Sequence, residues 1–140
     1  MKALVIGASG HLGNAVTRAL IDRGYEVTAA GRRPEPPVNL RDLAIRYLPG
    51  DTETAGQIDS WVEGHEVVID AAAPYPSRMM ASAESASAAV EHAGRRTQAM
   101  IDAVRRHSAR LAYISSFATL PDRSSGFESA RREWIRRLHP

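Results

Sequence analysis

Three glycines close to the N-terminus, Gly7, Gly10 and Gly13 in the run GASGHLG, have a spacing suited to holding a phosphate. The run follows a short apolar stretch, KALVIG, and opens an amphipathic one, so a strand turns into a helix there. An anion at that turn faces unpaired backbone N–H groups and the positive end of the helix dipole. Gly7 allows the tight turn, Gly10 lets a pyrophosphate approach the backbone, and Gly13 lets the helix pack close to the strand. Ser9, His11 and Leu12 complete the loop, and the backbone of His11 matters more there than its ring. Two arginines, Arg32 and Arg33, follow the next apolar run and suit a second phosphate through charge-assisted, bidentate contacts. Their plainer use is as surface charges beside Pro34. Far along the chain, ARLAYISSFATLPD brings Ser115 and Ser116 to the end of another apolar run. Hydroxyls so placed either satisfy local backbone groups or meet a ligand. His11, His65, His92, His107 and His139 form no metal-binding spacing with carboxylates, and cysteine is absent, so no metal site and no disulfide framework are read.

The elements that must position these residues alternate in type. Residues 2–7 form a continuous apolar strand, short enough to be buried on both faces. A helix over 11–24 carries Leu12, Val16, Ala19 and Leu20 at helical spacing, with Gly24 just past its end. A strand over 25–31 is followed by a proline-rich connection without periodicity. A weaker strand over 44–51 leads to a short helix over 52–64 with Ile58, Trp61 and Val62 facing inward. A fourth strand begins at 65 and runs into a proline-punctuated loop by 76. Residues 77–107 read as a long alanine-rich helix with Val90, Gly94, Thr97, Ile101 and Val104 on one stripe. A fifth strand spans 110–116, and 127–138 suit one more amphipathic helix through Phe127, Trp134, Ile135 and Leu138. Strands alternating with helices predict an α/β fold: a doubly wound parallel sheet of the Rossmann type, five strands in order 3-2-1-4-5. The expected domain covers 1–120, with 121–140 as a tail.

Composition narrows the class. The chain has 140 residues, 44% hydrophobic and 24% charged, which is ordinary for a soluble single domain. No stretch reaches the roughly 20 apolar residues of a membrane helix, and the N-terminal apolar run is too short for a signal peptide core. A cytoplasmic location and no membrane partner are therefore expected. The net charge of +2 hides an asymmetry, because ten of the 18 basic residues fall in 95–140 and all ten are arginine. Nucleic-acid binding by this arginine-rich third is a remote reading, since no aromatic interleaving or nucleic-acid motif accompanies the charges.

Three runs taken in order, LVIGASGHLG, VVIDAAAPYP and AYISSFAT, resemble the extended short-chain dehydrogenase/reductase family, which includes NAD-dependent epimerases, dehydratases and dihydroflavonol-reductase-like proteins. The resemblance implies a dinucleotide cofactor and hydride transfer between nicotinamide and a carbonyl or alcohol carbon. An acid at the end of the second strand would favour NAD(H), but that strand ends TAAGRRP, and Glu26 lies at its beginning. Arg32 and Arg33 instead suit a 2′-phosphate, so NADP(H) is favoured over NAD(H). The resemblance places Asp51 against the adenine amino group, a position that also suits an N-cap for the helix starting near Thr52. It places Ala71, Ala72 and Ala73 along the cofactor. Asp70 departs from the family, which commonly has histidine or another neutral residue there; it either perturbs that wall or caps the strand end.

The resemblance also assigns Ser116 as the hydroxyl that bonds a substrate oxygen, beside a tyrosine acting as acid/base and a lysine four residues after it. A phenol has an ordinary pKa near ~10, so a nearby cation must stabilise the phenolate. None of Tyr25, Tyr47, Tyr75 and Tyr113 has such a lysine, because Lys2 is the sole lysine. The 140 residues thus read as the N-terminal part of such a reductase or epimerase, truncated after the fifth strand, without its substrate-binding region and inactive alone. A small-molecule substrate is expected only if that region is supplied. The second reading is a non-catalytic module that senses NADP(H) or binds a protein. Thr119, Asp122 and Ser124 have no stronger claim to a role. The fifth strand would be a sheet edge, covered by the tail 121–140 or by another chain, as in a homodimer.

Overall fold

The computed structural model describes residues 1–72 and 83–114, the stretch 83–90 by its backbone alone. Its elements in chain order are β1 (Lys2–Ile6), α1 (His11–Asp22), β2 (Glu26–Gly31), a 3-10 turn (Val38–Leu40), β3 (Ile45–Pro49), α2 (Gln57–Val62), β4 (Val67–Asp70), α3 (Ala83–Arg106) and β5 (Arg110–Tyr113). All strand pairs are parallel and the order is β3-β2-β1-β4-β5, the expected doubly wound arrangement.

The apolar run of β1 takes the central place because it can be buried on both faces. Ala3, Leu4 and Val5 are fully buried, and alternate side chains enter two separate cores. Leu4 and Ile6 join Val68 of β4, Ile58, Trp61 and Val62 of α2, and Met100, Ala103 and Val104 of α3. Val5 joins Val27, Ala29 and Leu40 on the opposite face, with Leu20 and Ile21 of α1 packed against them. This puts the β1–α1 turn at the middle of one sheet edge, where the strand order reverses.

Sequence periodicity misplaced parts of two helix faces. In α1 the buried positions are Gly13 and Thr17, while Leu12 is 48% exposed. The Thr17 hydroxyl donates to the Gly13 carbonyl at 2.8 Å, which leaves no polar group stranded on that face. In α3 the stripe holds at Ile101 and Val104, but Gly94 faces solvent and Arg96 is buried in its stead. The guanidinium is tolerated there because a carboxylate, Asp70, meets it.

Helix α2 is shorter than its expected 52–64. An Asp51 carboxylate oxygen accepts the Glu53 N–H at 3.1 Å and the Asp51 carbonyl accepts that of Thr54 at 3.0 Å, building a turn where the helix was expected to begin. Gly56, at φ +78°, then separates that turn from the helix. Asp51 therefore caps this turn and not α2. The stretches 73–76, 77–82 and 115–116, expected as the proline-punctuated exit of the fourth strand, the start of the long helix and the end of the fifth strand, lie outside the described residues, as do the helix expected over 127–138 and the whole tail.

Candidate functional site

The β1–α1 turn has the geometry that its three glycines require. Gly7 adopts φ +81°, and a Cβ there would lie 2.8 Å from the Ala72 nitrogen and 2.9 Å from the Ala71 carbonyl carbon. A Cβ on Gly13 would stand 2.2 Å from the Gly7 carbonyl oxygen, an impossible contact with backbone. Gly10 is exposed and donates its N–H to the Gly7 carbonyl at 3.0 Å. The N–H groups of His11, Leu12 and Gly13 open α1 and find no acceptor among the described residues. Exposed Ser9, His11 and Leu12 lie beside these donors, an arrangement able to accept an anion.

At the end of β2, Arg32 and Arg33 are exposed, and neither guanidinium has an ion pair among the described residues. Their neighbour Glu35 lies 4.0 Å from Arg41, and Glu26 stands at the far end of the strand. The loop is held from below, since the Tyr47 hydroxyl of β3 donates to the Arg33 carbonyl at 2.9 Å. Its continuation is tied to the glycine loop. Asn39 donates its side-chain N–H to the Ser9 carbonyl at 2.9 Å, and the Asn39 carbonyl accepts the Asn14 amide at 3.0 Å. Sequence reading missed both Tyr47 and Asn39. The proline-rich connection showed no period, and the only available signal was an asparagine beside buried Leu40.

Across β1, Ala71 and Ala72 follow β4 and form the wall behind Gly7. That wall is fixed by Asp70, whose carboxylate accepts the Ala72 N–H at 3.2 Å and two bonds from Arg96 at 2.6 and 2.7 Å. Both partners are nearly fully buried. Burial opposes the charge on Arg96, but the hydrogen bonds and charge of Asp70 override it and hold the guanidinium above its ordinary pKa. Burial, reinforced by the negative charge of Asp70, raises the phenol of Tyr113, the β5 residue paired in register with Asp70. Asp70 thus caps the strand end and leaves the wall in place. Ala73, Ser115, Ser116, Tyr75, Thr119, Asp122 and Ser124 lie outside the described residues.

Between α2 and α3 runs a cleft of about 390 Å³, lined in part by Glu53, Asp59, His92, Arg95, Arg96 and Arg106. It shares no lining residue with the glycine loop. Its charges are answered locally: His92 meets Glu53 at 2.7 Å, and Arg106 pairs with Asp59.

The NAD-dependent epimerase/dehydratase family matches residues 3–137, which take in the glycine loop and the five described strands except for Lys2. The chain belongs to this family. Members bind a nicotinamide dinucleotide, as the donor-lined turn leads one to expect. Among similar proteins, the ceramide reductase of Caulobacter vibrioides is 29% identical over 128 residues, covering 91% of this chain and 38% of that protein. Sterol demethylase protein B of Methylococcus capsulatus is 40% identical over 73 residues, 52% of this chain and 22% of its own length. The chain therefore spans less than two fifths of these curated relatives. A short-chain dehydrogenase/reductase superfamily protein of Agrobacterium tumefaciens, solved with bound NAD, superposes with a TM-score of 0.69 at 20% identity, covering 89% of this chain and 35% of that one. A short-chain dehydrogenase/reductase of Veillonella parvula, solved with NADP, gives 0.60 at 18% identity, covering 99% and 56%. Both likenesses speak to the fold. Among the described residues no helix is long and apolar enough to cross a membrane.

Proposed function

We propose that these residues are the dinucleotide-binding unit of a short-chain reductase or epimerase, and that the dinucleotide is NADP(H). The observation that carries the cofactor choice is the pair of exposed guanidiniums at Arg32 and Arg33, without an ion pair among the described residues, at the β2 end where an NAD(H) site places an acid. The N–H groups of His11, Leu12 and Gly13 would hold the pyrophosphate, with Ala71 to Ala73 and Asp51 alongside the remaining cofactor. The bound nicotinamide would supply or accept a hydride at a carbonyl or alcohol carbon of a substrate. Ser116 is the one member of the acid/base set that the 140 residues carry, so the unit binds cofactor and does not turn over alone.

Titration of wild type and of Arg32→Ala/Arg33→Ala with NADPH and NADH tests this reading. Wild type should prefer NADPH. Loss of the charge-assisted bonds should weaken NADPH by about 10- to 100-fold and leave NADH nearly unchanged. Tighter binding of NADH by wild type would contradict the cofactor choice, and binding of neither would contradict the whole reading.

A further inference from the structure

The segment from Gly31 to Leu40 is pinned at both ends by side chains from outside the glycine loop. At its start, the Tyr47 hydroxyl donates to the Arg33 carbonyl at 2.9 Å and would lie 3.1 Å from a Cβ at Gly31. Tyr47 is partly buried, and burial raises its phenol, so the hydroxyl keeps its proton and remains a donor. At the segment's far end, Leu40 is 1% exposed, while Asn39 joins the Ser9 carbonyl on one side and accepts Asn14 on the other. Arg18 completes the clasp, bonding the Asn14 side chain at 3.1 Å and Asp42 at 3.4 Å. Among the described residues the Arg32 and Arg33 side chains form no ion pair, and Arg33 is held through its backbone carbonyl. The geometry of their loop is set from outside.

We propose that Tyr47 and Asn39 are positioning residues for the dinucleotide: Tyr47 orients the Arg32–Arg33 backbone toward a 2′-phosphate and so serves cofactor selection, and Asn39 locks that segment to the pyrophosphate loop and so serves the binding of either dinucleotide. This rests on the NADP(H) reading above. Two flexible guanidiniums on a free loop lose conformational entropy on meeting a phosphate, whereas a loop held beforehand has already lost part of it. The Tyr47 hydroxyl bonds the arginine segment, the half of the site proposed to meet the 2′-phosphate. Asn39 touches both halves, because its partner Ser9 lies inside the glycine loop. The two residues therefore differ in what their loss should do.

The test is calorimetric titration of the 140-residue chain, as wild type, Tyr47→Phe and Asn39→Ala, with NADP⁺ and with NAD⁺. Tyr47→Phe keeps the ring and its packing, so a folding defect is not expected, and thermal unfolding of each variant checks this. Tyr47→Phe should weaken NADP⁺ by about three- to tenfold with NAD⁺ held within about twofold, so the affinity ratio falls. Asn39→Ala should weaken both dinucleotides by a similar factor. An unchanged ratio in Tyr47→Phe, whether both affinities hold or both fall, overturns the assignment of Tyr47. Unchanged binding of both ligands by Asn39→Ala overturns that of Asn39. Failure of wild type to bind either ligand removes the underlying reading, and the inference with it.

Discussion

Asp70 and Arg96, 26 positions apart, form a two-pronged ion pair that is almost wholly buried beneath the β4–α3 side of the glycine loop. Removing either partner strands a charge in the interior. Arg96→Met or Asp70→Asn alone is therefore expected to cost about 3–5 kcal/mol of stability. The double variant Asp70→Asn/Arg96→Met leaves no stranded charge and keeps an oxygen for the Ala72 N–H, so it should lose clearly less than the sum. Urea unfolding of the three variants measures this, and additive losses would show that the pair is not coupled.

Two glycines give a contrast of opposite sign. Alanine at Gly13 drives a Cβ to 2.2 Å from the Gly7 carbonyl, against backbone that cannot yield cheaply. The expected loss is about 1–3 kcal/mol, together with loss of dinucleotide binding. Alanine at Gly94 meets open space on an exposed face of α3 and should stabilise by about 0.5–1 kcal/mol. Thermal unfolding of both variants gives the signs.

His65 supplies a pH dependence. Its Nε2 lies 2.9 Å from the Thr28 hydroxyl, its Nδ1 is buried with no partner among the described residues, and burial holds its pKa below the ordinary value. Below about pH 6.5 the unfolded chain takes up a proton that the folded imidazole resists. Stability should therefore fall as pH drops through that value, levelling off below the folded-state pKa. His65→Gln should remove that component. Denaturation of both chains at pH values from about 7.5 to about 5 checks it, and parallel curves would contradict it.

No tyrosine of the 140 residues is followed four positions later by a lysine. Assays of these residues with NADPH and simple ketones or aldehydes are expected to show no turnover even where NADPH binds. Measurable carbonyl reduction would mean that another residue acts as the acid.

Much of the fold was legible in the sequence because β1, β2 and the glycine turn are specified locally. An apolar run that ends in GASGHLG has few alternatives, and right-handed crossovers make 3-2-1-4-5 the natural order for five such strands. What stayed hidden depended on pairs distant in sequence. Periodicity placed Gly94 on the buried stripe because it cannot anticipate that a carboxylate at the end of β4 will draw Arg96 inward. The α2 start was misjudged because Asp51 satisfies two nearby N–H groups and halts the helix before it begins. Tyr47 and Asn39 act through backbone carbonyls, Arg33 and Ser9, and such bonds leave no mark on residue spacing. Gly7 and Gly13 were readable for the opposite reason: only glycine fits where they stand.

The most direct test of a dinucleotide site at the glycine loop is amide NMR of the 140-residue chain during addition of NADPH. The resonances of Gly10, His11, Leu12 and Gly13, and of Arg32 and Arg33, are predicted to shift together and saturably, with those of α2 and the C-terminal half of α3 little changed. Shifts confined to the α2–α3 cleft, or none at all, would contradict it.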